Sequence, residues 1–323
     1  MPATITHAYF SEDIYDVLPS HIKSLVNPNR IRMFGQSTDP LMFYNLFSLK
    51  KGKNIRELDH FFHGNRTRKY FITLVKYIKK HNLEYDVDTM SFLVGFICHY
   101  VLDSNVHPYV FYKTGKFNKN DPETYKYNNI HTFMETFIDN YLVRKRENIN
   151  PYKFNIGKFC FDTRKFSNEL IRTIDYSFIH TYNVSNMGKI YYKAVKQMKF
   201  SLVVFRKDRF GIRKFIYKLV DTFTPRSMFR FEAISYHYPL TDRHNFLNST
   251  HEVWSNPIDY KITSRESFLD LYLKSIKEAR SIIINTFKYI DGEDINLEDV
   301  FTNKSYVTGL DCDLGNDVKY FEF

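Results

Sequence analysis

The stretch Cys98–Tyr109, CHYVLDSNVHPY, sets His99, Asp103 and His107 four residues apart. Imidazole and carboxylate are the groups that hold zinc and that move protons in hydrolysis. On a helix the three form one stripe about 80° wide, at intervals of roughly 6 Å along the axis. His99 and His107, about 12 Å apart along that axis, cannot easily share one ion with ligand bonds near 2 Å. Asp103 lies between them and has two oxygens. The spacing predicts at least two adjacent metals, with Asp103 able to bridge.

A second pair, His131 and Glu135 in IHTFMETFIDNYL, repeats the i, i+4 device by which bundle helices present ligands inward. Upstream, HFFHG offers His60 and His63, STDP offers Asp39 in a turn, and His7 stands near the N-terminus. Taken singly, each pair reads as a hydrogen-bonded couple on a helix. Together they argue for a multinuclear site, because the Cys98–His107 segment is otherwise apolar and buried charges are paired or bind metal. Ordinary paired core residues remain the alternative at this level.

The elements that must position these residues are helical. DVDTMSFLVGFICHYVLDSNVH opens with an Asp/Thr cap signal and is apolar nearly all round, which predicts a central buried helix. Pro108 lacks an N–H and strains the carbonyl of Ser104, so a kink or an end before His107 is expected. Residues 54–81 read as helix on either side of Gly64, and NIHTFMETFIDNYLVRK as another. Near the start, Ser11 is a plausible N-cap for a helix over EDIYDVLPSHIKSLV, with Ile14, Val17 and Leu18 on one face. Later helices are expected at 165–181, 188–206, 209–222 and 264–290. The segments 108–128, 146–162 and 236–262 read as long loops, and the tail from Gly292 as an extended arm. The expectation is an all-α fold, a multi-helix bundle with its core near residues 60–145. Its division would be a helical domain over 1–290 and a tail over 291–323.

The ordered set of a His near the N-terminus, a loop Asp, a His, His-x3-Asp, a further His and His-x3-Glu resembles the zinc-dependent phospholipase C family. That all-helical fold is shared with the P1/S1-type nucleases. GQSTDPLMFY, FFHGNRTRKYF, GFICHYVLDSNVHPY and, more softly, FLNSTHEVWSNP look like segments of uncharacterised bacterial members. The resemblance implies one zinc held by His63, His99 and Asp103, and a second by His107, His131 and Glu135. A third would share Asp103 and use His7 with the free amino terminus, giving two or three ions in all. Asp39 would lie beside the reacting water as base or orienter. Two departures stand out. Removal of Met1 would expose Pro2, a secondary amine, at the third site, and the loop from Asp39 to His63 carries a basic insert, LKKGKNIRELDH. His60 falls outside the motif and reads as a structural or supporting histidine.

The implied reaction is phosphoester hydrolysis by a zinc-bound hydroxide attacking phosphorus in line. Phospholipase C-like cleavage of a phospholipid comes first. A P1/S1-like nuclease or small phosphodiesterase and a non-catalytic, metal-stabilised binding module are the alternatives. The net charge of +10 suits an anionic partner, although a basic, lysine- and asparagine-rich composition would produce it equally. Residues 198–231 carry nine Lys/Arg against two Asp, interleaved with aromatics. Such a stretch can lie on an anionic membrane or be the solvated face of packed helices. The three cysteines form neither a disulfide framework nor a CxxC motif. No signal peptide and no transmembrane run is seen, which predicts a cytoplasmic protein. His21, His81 and His180 read as solvated or without context, and His237, His244 and His251 as a weaker second cluster. Asp139, one turn beyond Glu135, reads as a cap or surface residue.

Overall fold

The computed structural model describes every residue except 1–3, 47, 49–51, 119, 207, 209, 229, 238–241, 243 and 323. Among the described residues the fold is all-α. Its helices are α1 (Thr4–Val17), α2 (Ser20–Lys23), α3 (Pro28–Phe34), α4 (Lys53–His63), α5 (Thr67–Lys80), α6 (Val87–Thr114) and α7 (Ile130–Glu147). There follow α8 (Ile156–Phe159), α9 (Asn168–Tyr182), α10 (Met187–Arg206), α11 (Ile212–Phe223), α12 (Phe268–Ile290) and α13 (Leu297–Val300). Two short strands, β1 (Trp254–Ser255) and β2 (Thr263–Ser264), pair antiparallel within the long loop before α12.

The apolar run after Asp86 becomes the axis of the molecule. The Asp86 carboxylate accepts the Thr89 N–H at 2.8 Å and starts α6, which is buried on nearly every side by α1, α3, α7, α9 and α12. Each Leu, Ile or Phe so enclosed contributes about 1.5–3 kcal/mol relative to exposure. Gly95 permits the closest crossing: a Cβ there would stand 2.7 Å from the Phe34 carbonyl carbon and 2.8 Å from the Gly35 nitrogen. The expected break at Pro108 does not occur, and α6 runs through it to Thr114. Gly309, at φ +68°, packs against the Ser104 carbonyl that the proline leaves without its helical partner; a Cβ there would lie 2.3 Å from that oxygen. A side chain at that position would be excluded.

Two other expectations are corrected. Ser11 is no N-cap, because α1 already begins at Thr4 and Ser11 is buried within it. The start of α1 is capped from a distance: Asp139 of α7 accepts the Ile5 N–H at 3.2 Å, the Thr6 N–H at 2.8 Å and the Thr6 hydroxyl at 2.9 Å. Asp139 is therefore a fully buried cap, also paired with buried Arg206, and no surface residue. Burial raises its pKa to about 6, against the opposing pull of Arg206 and of the amides that it caps. The basic insert after Asp39 supplies α4 itself, which delivers His63 as its last residue. No helix among the described residues is long and apolar enough to cross a membrane.

Candidate metal centre

Four helices and one turn bring the ligand-type side chains together. His7 comes from α1, Asp39 opens the 3₁₀ turn Asp39–Phe43, and His63 ends α4. His99, Asp103 and His107 lie on α6, and His131 and Glu135 on α7. Three groups have ligand atoms within 4.8 Å of one another: His7, His99 and Asp103; Asp39, His63 and His99; and His107, His131 and Glu135. Asp103 sits at the middle. Its Oδ2 lies 2.9 Å from His99 Nε2, 3.4 Å from His107 Nδ1 and 3.8 Å from His63 Nε2, and its Oδ1 lies 3.1 Å from His7 Nε2. Asp39 Oδ1 stands 3.4 Å from His63 Nε2 and 3.9 Å from His99 Nε2. At the other end Glu135 Oε1 is 3.1 Å from His131 Nε2 and 3.5 Å from His107 Nε2.

The rings are aimed by main-chain carbonyls behind them. His63 Nδ1 donates to the Asp59 carbonyl at 2.7 Å, and His99 Nδ1 to the Gly35 carbonyl at 2.9 Å. Their Nε2 atoms are thereby turned inward, 3.3 Å from each other. His107 Nδ1 donates to the Tyr306 carbonyl at 3.0 Å, leaving Nε2 toward Glu135. His7 stacks on His99 with ring centroids 4.2 Å apart.

This donor set fits a metal better than it fits a self-sufficient polar core. Glu135 Oε2 and His7 Nδ1 are buried with no hydrogen bond, and inward imidazole nitrogens face one another across carboxylates. Buried acceptors left unmet cost free energy unless a cation meets them. The electrostatics agree. Burial alone would lower the His63 pKa, but Asp59, Asp39 and Asp103 outweigh it and lift it to about 10. His99 is raised too, its burial overcome by Asp103 and Asp39. Burial would raise Asp103, yet His107, His99 and His7 hold it well below the usual carboxylate range. The carboxylates that hold protons on His63 and His99 would equally hold a cation, and nitrogen and oxygen ligands of this mixture suit zinc. The centre is deeply buried at His99 and Asp103, whereas the side chains of His107 and His131 are 13% and 23% exposed. The His107–His131 side is the less enclosed one.

All eight singled-out residues are thus in one cluster. Pro2, invoked for the third site, lies outside the described residues. His60 is exposed on α4, away from the three ligand groups. His237, His244 and His251 are dispersed: His237 stacks on Tyr152 at 4.4 Å, His244 on Phe246 at 5.1 Å, and exposed His251 bonds the Arg265 carbonyl at 3.0 Å.

Three contributors were missed in the sequence. Asp59 is buried, with its carboxylate 3.4 Å from His63 Nδ1; its i, i+4 spacing to His63 was a readable signal. Gly35 and Tyr306 act through carbonyls, which any residue carries, so no residue type marked them. Tyr306 lies in the tail, where its N–H donates to the His63 carbonyl at 2.8 Å and its ring meets that of His63 edge-on at 4.9 Å.

The family model described as zinc dependent phospholipase C matches residues 6–183, more than half of the chain and a span that contains all eight side chains of the cluster. No curated protein and no solved structure matches the chain.

Proposed function

The chain belongs to the zinc-dependent phospholipase C family, and from that premise we propose that its buried centre hydrolyses a phosphodiester, with phospholipid as the substrate class. The observation that carries this reading is the convergence of eight His, Asp and Glu side chains, Asp103 at their middle, with Glu135 Oε2 and His7 Nδ1 buried and unbonded. His63, His99 and Asp103 would hold one zinc, His107, His131 and Glu135 a second, and His7 with Asp103 would contribute to a third. Bound there, zinc supplies Lewis acidity that offsets phosphate charge and makes water nucleophilic near neutral pH.

The protein's own groups would do the rest. Asp39 is buried, yet His99 and His63 pull its carboxyl down to about 2 against the effect of burial, so it is ionised at neutral pH. We assign it the task of accepting a hydrogen bond from the attacking water and orienting it. Carbonyls of Asp59, Gly35 and Tyr306 fix the rings of His63, His99 and His107 before substrate arrives. The half-open His107–His131 side is where a phosphodiester would enter.

Elemental analysis and a substrate panel test the reading. The purified protein should carry about two or three zinc equivalents, as a histidine- and carboxylate-rich multinuclear site requires. It should cleave a short-chain phosphatidylcholine in preference to single-stranded DNA and a chromogenic phosphodiester. Asp39→Asn should keep the zinc and lose activity by ~10²-fold or more, as for a lost general base. Loss of zinc in that variant would make Asp39 a ligand. Preference for DNA would move the protein to the nuclease branch, and full zinc without any turnover would make it a binding module.

A further inference from the structure

The helix α11 is amphipathic the wrong way round for a soluble surface. Ile212, Phe215, Ile216, Leu219 and Phe223 fall within roughly 100° of arc at the helical advance of 100° per residue. They are 60%, 68%, 46%, 49% and 80% exposed. The opposite side holds Tyr217 and Asp221, and these polar residues are the buried ones. Tyr217 donates to the Phe205 carbonyl at 2.6 Å, and Asp221 accepts the Phe231 and Glu232 N–H groups at 2.9 and 2.8 Å. The polar contacts therefore fasten α11 to the protein and turn its apolar stripe outward. Burying that stripe against the protein was open to the fold, and the hydrogen bonds select the other face. The sequence left open whether 198–231 is a solvated charged face; what α11 exposes is mainly apolar.

We propose that α11 is an interfacial helix that seats this protein on an anionic phospholipid bilayer. Three observations select a membrane as the occupant. Exposed Lys218 and Arg226 lie beside the apolar stripe, and the whole chain carries a net charge of +10, the complement of anionic headgroups. Bulky Phe, Ile and Leu side chains over a cationic flank are what an acyl–headgroup boundary accommodates. The segment that follows α11 is also tied to the start of α7: the Asn128 side-chain amide donates to the Arg226 carbonyl at 2.5 Å and to the Met228 carbonyl at 2.6 Å. Asn128 stands just before α7, which carries partly exposed His131. Seating α11 would bring that end of α7 close to the bilayer, where a phospholipid need leave the membrane only partly to reach the centre. The last step rests on the phospholipase reading; the membrane contact does not.

The test uses the full chain with vesicles of phosphatidylcholine, alone or mixed with phosphatidylglycerol. The wild type should sediment with the anionic vesicles, less so as salt is raised. Phe215→Glu/Phe223→Glu should weaken that partitioning by roughly tenfold or more, since two exposed rings lose their place in the acyl boundary. The same variant should hydrolyse a monomeric short-chain phosphatidylcholine at the wild-type rate, because neither ring belongs to the metal centre. Unchanged vesicle binding in the double variant, or none in the wild type, overturns the proposal. A wild-type dimer that the double variant dissolves, without vesicle binding, also overturns it and makes the stripe a self-association face. Vesicle binding by a protein that cleaves no phospholipid would leave α11 as stated and remove the phospholipase reading instead.

Discussion

Asp59 shows how a residue outside the ligand set governs it. Its backbone carbonyl accepts a hydrogen bond from His63 Nδ1, and its buried carboxylate lies 3.4 Å from the same nitrogen with no hydrogen bond to its Oδ1. A negative group behind an imidazole makes the opposite nitrogen a better electron donor, and partners of this kind usually contribute 10- to 100-fold (about one to two decades) to metal affinity. Asp59→Asn should therefore weaken zinc binding by ~10-fold or more, and it should also lower the metal-free melting temperature, because Asp59 is one of the carboxylates that hold the proton on His63. Titration against a chromophoric chelator reads the first quantity and calorimetry the second. Equal affinity in variant and wild type would reduce Asp59 to a packing residue.

At the scale of elements, the site depends on how closely α3 crosses α6. Gly95 lets the two backbones touch, and the Gly35 carbonyl at the end of α3 aims His99. A methyl at position 95 would meet Phe34 and Gly35 main-chain atoms closer than real Cβ contacts allow, so α3 must move. Overpacking of this kind costs about 1–3 kcal/mol. Gly95→Ala should lower stability by about that amount, and should also weaken zinc binding, because the carbonyl behind His99 shifts with α3. Denaturant melts with and without zinc separate the two effects. A variant that loses stability but keeps zinc affinity would show that His99 is aimed by some other contact.

Taken whole, the molecule is closed around its centre by segments distant in sequence: α1, α4, α6, α7 and the tail through Tyr306. Metal binding to such a site is folding free energy. Zinc at 100 to 1,000 times its Kd (roughly 3–4 kcal/mol of linkage) should raise Tm by several degrees over chelator-treated protein. The pH dependence has a definite sign. The raised His63 pKa stabilises the metal-free fold fully below 6.5, and that contribution is lost as pH climbs toward about 10. Zinc must displace the same proton, so its apparent affinity grows with pH over this window. The Tm gap between loaded and stripped protein should consequently widen from pH 6.5 upward, as scanning calorimetry in matched buffers would record. A gap that narrows with pH would mean that His63 is not a ligand.

Residue identity and spacing pointed to the all-α class and, joined to the family resemblance, to the eight side chains that the fold brings into one cluster. Both signals are local: a helix writes its burial every three to four residues, and i, i+4 pairs such as His99–Asp103 and His131–Glu135 share a helical face whatever surrounds them. Tertiary structure decided what has no local signature. The first turn of α1 is capped by Asp139 on α7, more than a hundred residues away, and α6 passes Pro108 where Gly309 of the tail packs against the Ser104 carbonyl. The aim of each ring is set by carbonyls of Gly35, Asp59 and Tyr306, groups that every residue type carries. The outward turn of the α11 stripe is also tertiary. Periodicity locates an apolar face on a helix, but only the hydrogen bonds of Tyr217 and Asp221 decide which face meets the protein.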